Sequence, residues 1–226
     1  MWIARTGILS SGGSSSLLNG MNNAWTFENN ANDLIGGSNG IALGGVTYIS
    51  GKNNLGASFN GSNGIITLAD NSLNYTSTHS FSMWVKANAS GNYGLVSNYR
   101  YTGSNYGYSI SLRGNDLYYQ ILTPSNIVNL IYTNASGWTS QYNHIYVERE
   151  WGIGSKIYVN NILVASNTST INPQYTTTHY PTIGNVKESL ATSYWYYNGI
   201  IDELYKLNRK LTYTELTDLQ TKYYPF

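Results

Sequence analysis

Three groups of side chains in this sequence could do chemistry or grip a ligand. Asp202 and Glu203 stand side by side in GIIDELYKL, with Ile200 and Ile201 before them and Leu204, Tyr205 and Leu207 after. Side chains alternate between faces of a strand. Asp202 therefore shares a face with Ile200 and Leu204, and Glu203 shares the other with Ile201 and Tyr205. If both faces are covered, at least one carboxylate needs a cation or several amide donors, because a bare buried carboxylate is costly. Glu148 and Glu150, in VEREW, form a second pair. Two residues apart, they fall on one strand face, the arrangement that paired acid–base catalysis uses. Trp151-Gly152-Ile153-Gly154 follows at once, which places Glu150 at a turn and the pair in solvated or ion-paired use. His79, His144 and His179 lack metal-ligand spacing, and no nucleophile elbow is present.

The aromatic clusters are the stronger functional signal. NYGLVSNYRYTGSNYGY gathers Tyr93, Tyr99, Tyr101, Tyr106 and Tyr108, and SYWYYNG gathers Tyr194 to Tyr197 around Trp195. Exposed rings of this kind stack on sugars and anchor interfaces. Tyr99, Tyr101, Tyr106 and Trp195 are the candidate carbohydrate-binding residues. The competing use is packing between sheets, since alternate residues must point inward.

The rest of the composition decides what must hold these groups. The chain has 226 residues, 41% hydrophobic and 10% charged, with a net charge of +1 and no cysteine. That is enough for one large all-β domain. Near-neutral charge gives no reason to expect nucleic acid or an anionic membrane as partner. Disulfides and cysteine chemistry are excluded. No apolar run approaches the roughly 18 residues of a membrane-spanning helix. The opening MWIARTGILSSGG lacks a secretory pattern, so no signal peptide is expected.

Residues 1–22 read as a flexible Gly/Ser-rich arm whose apolar start could dock on another subunit. Residues 23–226 read as one β domain. Strands are expected at 25–27, 56–59, 65–68, 80–86, 108–112, 116–122, 127–132, 144–150, 156–160, 162–165, 180–184 and 199–207. Asn60-Gly61-Ser62-Asn63-Gly64 reads as a hairpin turn, and Asn160-Asn161 as a tight turn because Asn tolerates positive φ. Thr212 with Glu215 predicts a capped helix, with Leu216 and Leu219 on its apolar stripe as far as Lys222. Many short strands with one terminal helix predict a jelly-roll sandwich.

WTFENNANDLIG, LGASFNGSNGIITL, HSFSMWVKA, the pair YNHIYVER and KIYVNNILVASNT, and YYNGIIDELYKLNRKLTYTEL occur in that order. This ordered set resembles the laminin G-like, concanavalin A-like jelly-roll modules of bacterial surface and phage virion proteins, from about residue 24 to 222. The resemblance implies an all-β concanavalin A-like sandwich with one short C-terminal helix. It implies a structural calcium, with Asp202 as ligand and oxygens from the 28–33 turn, Glu28 and Asp33 included. The alternative is that Asp202 bonds backbone amides or a basic side chain without a metal. His144 sits where such modules often carry W-x-H-V, the mark of a packed structural residue. The E-x-D-x-E signature of their laminarinase-like members is absent, which argues against catalysis. Together these imply a non-catalytic adhesion or surface-display module. The expected partners are a polysaccharide or glycan, other virion subunits through the arm, and a second copy of the chain as a homo-oligomer. The expected place is a virion surface, the alternatives being an exported bacterial carbohydrate-binding module or a decoration subunit with no glycan ligand.

Overall fold

A computed structural model describes residues 16–69, 72–75, 77–101, 104–175, 179, 181–187 and 193–225. A single 3₁₀ turn, Ser16–Leu18, precedes the strands. The first strands are Met21–Trp25 (β1), Ile41–Leu43 (β2), Thr47–Ser50 (β3), Leu55–Asn60 (β4), Ile65–Thr67 (β5) and His79–Ala87 (β6). Asn92–Tyr101 (β7), Asn105–Arg113 (β8), Asp116–Leu122 (β9), Ile127–Thr133 (β10), Asn143–Glu150 (β11), Gly154–Val159 (β12) and Ile162–Asn167 (β13) follow. Thr182–Ile183 (β14), Val186–Lys187 (β15), Ser193–Tyr194 (β16), Asn198–Leu207 (β17) and the helix Tyr213–Asp218 (α1) complete the order.

Two antiparallel sheets face each other. The larger runs β13-β12-β11-β6-β17-β4-β3, with β1 also paired to β17. The smaller runs β10-β9-β8-β7-β14-β5-β2. Alternation drives the packing: Phe81, Met83 and Val85 of β6 and Ile145 and Val147 of β11 point inward from one sheet. Tyr108, Ile110 and Leu112 of β8 and Leu117, Tyr119 and Ile121 of β9 meet them from the other. Burying one such side chain stabilises the fold by about 1.5–3 kcal/mol before entropy is counted.

The jelly-roll reading holds in outline and needs local corrections, the first being that the strand expected at 25–27 runs Met21–Trp25. The turn at 60–64 does not close a hairpin: β4 lies in the larger sheet and β5 in the smaller, so the chain crosses between layers there. Asn60 serves that crossing, its Oδ1 accepting the amides of Ser62, Asn63 and Gly64. The end of the expected arm belongs to the domain: Leu17 and Met21 are buried with Ala24, Tyr205, Leu207 and Leu219 in a second apolar cluster, and β1 pairs with β17 from Met21. Residues 1–15 lie outside the described residues. Helix α1 ends at Asp218, short of Lys222, although its capping box forms as expected and Leu216 and Leu219 are buried. The Asn160-Asn161 turn joins β12 to β13 with both residues at positive φ, 50° and 67°. Among the described residues no helix is long and apolar enough to cross a membrane.

Candidate functional site

The outer face of the smaller sheet carries a groove of about 250 Å³. Its composition follows from the alternation of NYGYSISLR. Tyr108, Ile110 and Leu112 face the core, so Ser109, Ser111 and Arg113 must face outward. Register then aligns the neighbours: Tyr99 is opposite Gly107, Gln120 opposite Ser109, and Asn129 opposite Gln120. Hydrogen bonds run across the floor from strand to strand. Gln120 Oε1 accepts from Ser109 Oγ (3.3 Å) and from Arg113 Nη2, and Gln120 Nε2 donates to Asn129 Oδ1 at 2.7 Å. Tyr99 OH donates to Asn105 Oδ1 at 2.6 Å.

Trp195 arrives from outside the sheet. Its segment follows the β15–β16 hairpin and is tied down where Gly94 N donates to the Trp195 carbonyl at 2.7 Å. Trp195 takes a positive φ of 53°, a conformation that a bulky residue adopts only when its surroundings impose it. The ring covers the Arg113 guanidinium at 4.6 Å, and Tyr118 approaches the same group at 4.1 Å. A partly exposed aromatic wall over a polar floor can stack on a sugar face while side chains bond its hydroxyls.

Of the four aromatic candidates, Tyr99 and Trp195 line the groove. Tyr101 is opposite Asn105, on the same face, and is exposed beyond the groove's lining. Tyr106 is paired with Arg100 and follows the inward parity of Tyr108, so the structure does not bring it to the groove. Arg113, Gln120, Asn105 and Ser109 were missed. Their signal was the polar half of an alternating strand whose apolar half had been read.

The carboxylates of β17 form a separate centre. Regular alternation fails between Asp202 and Tyr205, where a bulge opposes two residues to one on β6 and Glu203 takes φ 49°. Leu204 therefore joins the main core with Ile201, and Asp202 and Glu203 both reach Asn53. Asp202 Oδ2 accepts the Lys52 and Asn53 amides at 2.8 and 2.9 Å, and Oδ1 accepts the Glu203 amide. Close approach demands glycine at 51, since a Cβ there would lie 2.5 Å from Asp202 Oδ2. Glu203 accepts from Asn53 Nδ2 and from the Tyr205 hydroxyl. Burial, with a smaller push from the Glu28 charge, raises Asp202 to about 6 and Glu203 to about 8. Glu28 Oε1 is buried without a hydrogen-bond partner.

Asp33 does not join this centre. Its carboxylate accepts from the amides of Ala24, Ile35, Gly36 and Ser38 and from Asn23 Nδ2, which organise its own turn and hold its pKa low against the opposing effect of burial. Its charge acts on Lys206 instead. The oxygen set implied for calcium is therefore not gathered as expected, and Asp202 accepts the backbone amides of Lys52, Asn53 and Glu203. Among the described residues no three His, Cys, Asp or Glu side chains are grouped so as to hold a metal ion.

Glu148 and Glu150 are engaged by lysines. Lys156 Nζ lies 3.5 Å from Glu148, which also accepts from the Tyr146 hydroxyl, and Lys210 pairs with Glu150. The residue between them proved more consequential: Arg149 is fully buried and donates to the Ser169 and Ile171 carbonyls, Ser155 Oγ and Asn172 Oδ1. His144 is packed between Ser82 Oγ (2.7 Å) and Gln220 Nε2 (2.8 Å).

Comparison with known proteins gives the same fold. The binding domain of Paraclostridial Mosquitocidal Protein 1 superposes with a TM-score of 0.73 at 16% identity, covering 90% of this chain and 52% of that one. The botulinum neurotoxin DC binding domain in complex with SialylT gives 0.68 at 14% identity, covering 90% and 52%. This chain thus spans about half the length of those toxin binding domains. Domain 4 of AbnA, a GH43 extracellular arabinanase from Geobacillus stearothermophilus, in complex with arabinotriose, gives 0.59 at 20% identity, covering 88% and 97%. No curated protein matches the chain in sequence. A laminin G-type family model matches residues 60–217, from the crossing turn through β17 into α1. The chain therefore belongs to the concanavalin A-like lectin/glucanases superfamily.

Proposed function

We propose that this is a non-catalytic glycan-binding module, used for adhesion or surface display. The groove carries the reading: Trp195 and Tyr99 flank a floor of hydrogen-bonded amide, hydroxyl and guanidinium groups on a rigid sheet. Support comes also from the arabinanase domain solved in complex with arabinotriose. The ion-paired state of Glu148 and Glu150 supports a role without catalysis. A glycan array probed with the intact chain tests this. Binding is expected, and Trp195→Ala should weaken it several-fold at unchanged melting temperature, because a stacking contact is worth about 1 kcal/mol. Silence across a broad array overturns it.

The setting we propose is a virion surface, with the arm of residues 1–15 docking the module on other subunits. Its support is the resemblance of the ordered segments to phage virion modules. The protein should then co-purify with particles, and deleting the arm should release it. Exposed apolar side chains at the sheet edges, Ile41 and Leu43 of β2 and Ile49 of β3, favour a second reading, a decoration subunit packed by those edges.

We also propose a structural calcium beside β17, held in part by Glu28 and Asp202. The orphaned Glu28 oxygen and the raised pKa values of Asp202 and Glu203 support it. A chelator should lower the melting temperature, and Asp202→Ala should remove the chelator's effect. Equal melting in calcium and chelator sinks the proposal and leaves Asp202 as an amide-bonded structural residue.

A further inference from the structure

Among the described residues Arg113 is a cation without a counter-ion. None of the four ion pairs among the described residues includes it. The other deeply placed cations are accounted for. Arg149 donates to carbonyls and amides, Arg209 pairs with Glu215, and Lys206 lies over the Tyr75 ring with the Asp33 charge acting on it. Arg113 makes one side-chain hydrogen bond, from Nη2 to Gln120. Its Nε is buried and has no partner. Ser111 Oγ, on the same face of β8, is also buried without one. A guanidinium carries five N–H donors and stays charged in proteins. Here Trp195 and Tyr118 lie over it at 4.6 and 4.1 Å, which shields part of it from water and leaves the side chain half-buried.

Removing water from a charge without supplying its opposite is unfavourable. Stacking on rings offsets only part of that cost. Arg113 lines the groove together with Tyr99 and Ser109, and an anion that offers two oxygens matches a guanidinium best. We propose that the groove selects acidic glycans, and that Arg113 meets the carboxylate or sulfate of a sugar whose ring stacks on Trp195. This deepens the glycan-binding reading and rests on it. A purely supporting role, in which Arg113 only props Trp195, is the rival and predicts no preference for charge.

The test is an array printed with neutral, uronic, sialylated and sulfated oligosaccharides, probed with the full chain. The strongest hits should be anionic. The best carboxylated hit is then reduced, so that each carboxylate becomes a primary alcohol on an unchanged ring; desulfation serves for a sulfated hit. Calorimetry should show about a tenfold to hundredfold loss on neutralising the sugar. Arg113→Gln should lose a similar factor on the native sugar and little on the neutralised one, while Arg113→Lys keeps part of the preference. Trp195→Ala should weaken both forms. If the neutralised sugar binds as tightly as the native one, or if all hits are neutral, the acidic preference is wrong while glycan binding stands. No hit of any kind overturns both. Should Arg113→Gln fail to fold, the comparison of native and neutralised sugar on the wild type still decides.

Discussion

Burial pushes the Asp202 and Glu203 carboxyls above the ordinary carboxylate range. Burial raises Asp202 from 3.8 to about 6 and Glu203 from 4.5 to about 8, so the folded chain holds protons that the unfolded chain has released. Their stabilising contribution is complete below about pH 4 and is lost as pH rises through the folded values. In chelator, the melting temperature should therefore fall between about pH 5 and pH 8, and calcium should flatten that fall by replacing protons as counter-charge. A chelator profile with no alkaline decline refutes the assignment. Arg149 gives a second expectation at this scale. Its forked contacts to Ser169, Ile171 and Asn172 cannot be copied by an ammonium. Arg149→Lys and Arg149→Ala should both destabilise strongly, on the order of 3 kcal/mol for Ala, in denaturant titration.

The elements were far more legible than the sites they carry. β6, β8, β9, β11 and β17 follow from alternation, because one face of each must meet the core. The helix start follows from Thr212 and Glu215. What escaped reading was whatever depends on a break in alternation or on a partner distant in sequence. The bulge at Glu203 has no local signal. The choice between Tyr99, which reaches the groove, and Tyr106, which does not, depends on which residue of the β7–β8 register opposes which. The arm boundary escaped because Leu17 and Met21 find their apolar partners on β17 and beyond α1, about 190 residues away. A deletion series follows. Removing residues 1–15 should leave the melting temperature nearly unchanged. Removing 1–22 also strips Leu17, Met21 and the start of β1, and should lower it by several degrees. Thr212→Ala should cost about 1 kcal/mol through the lost cap.

Three buried histidines contribute to the acid limit of the molecule, beside Asp33 and Glu215, whose carboxyls are held low. Burial lowers His79 and His144 to about 3 and His179 to about 4. Each is neutral when folded, and each takes a proton on unfolding below its ordinary value of 6.5. Their contribution is complete above that value and is lost progressively as pH falls from there through the folded values of about 4 and 3. With the β17 carboxylates acting in the opposite direction, stability in chelator should peak on the acid side of neutrality. Replacing His144 by Gln should soften the acid limb without moving the alkaline one.

The strand order has a consequence for how the molecule is made. β17 lies in the middle of the larger sheet, between β6 on one side and β4 and β1 on the other, yet every strand it joins precedes it in the chain. While a ribosome is still translating residues before 198, β6 and β4 have no common neighbour and show open hydrogen-bonding edges. Nearly the whole domain must emerge before that gap is filled, a topology that folds slowly because its pairings are distant. Nascent chains stalled before β17 should be protease-sensitive and bind chaperones, and those stalled well past it should resist digestion. The last long strand of the domain thus acts as the keystone that joins two half-built parts of one sheet.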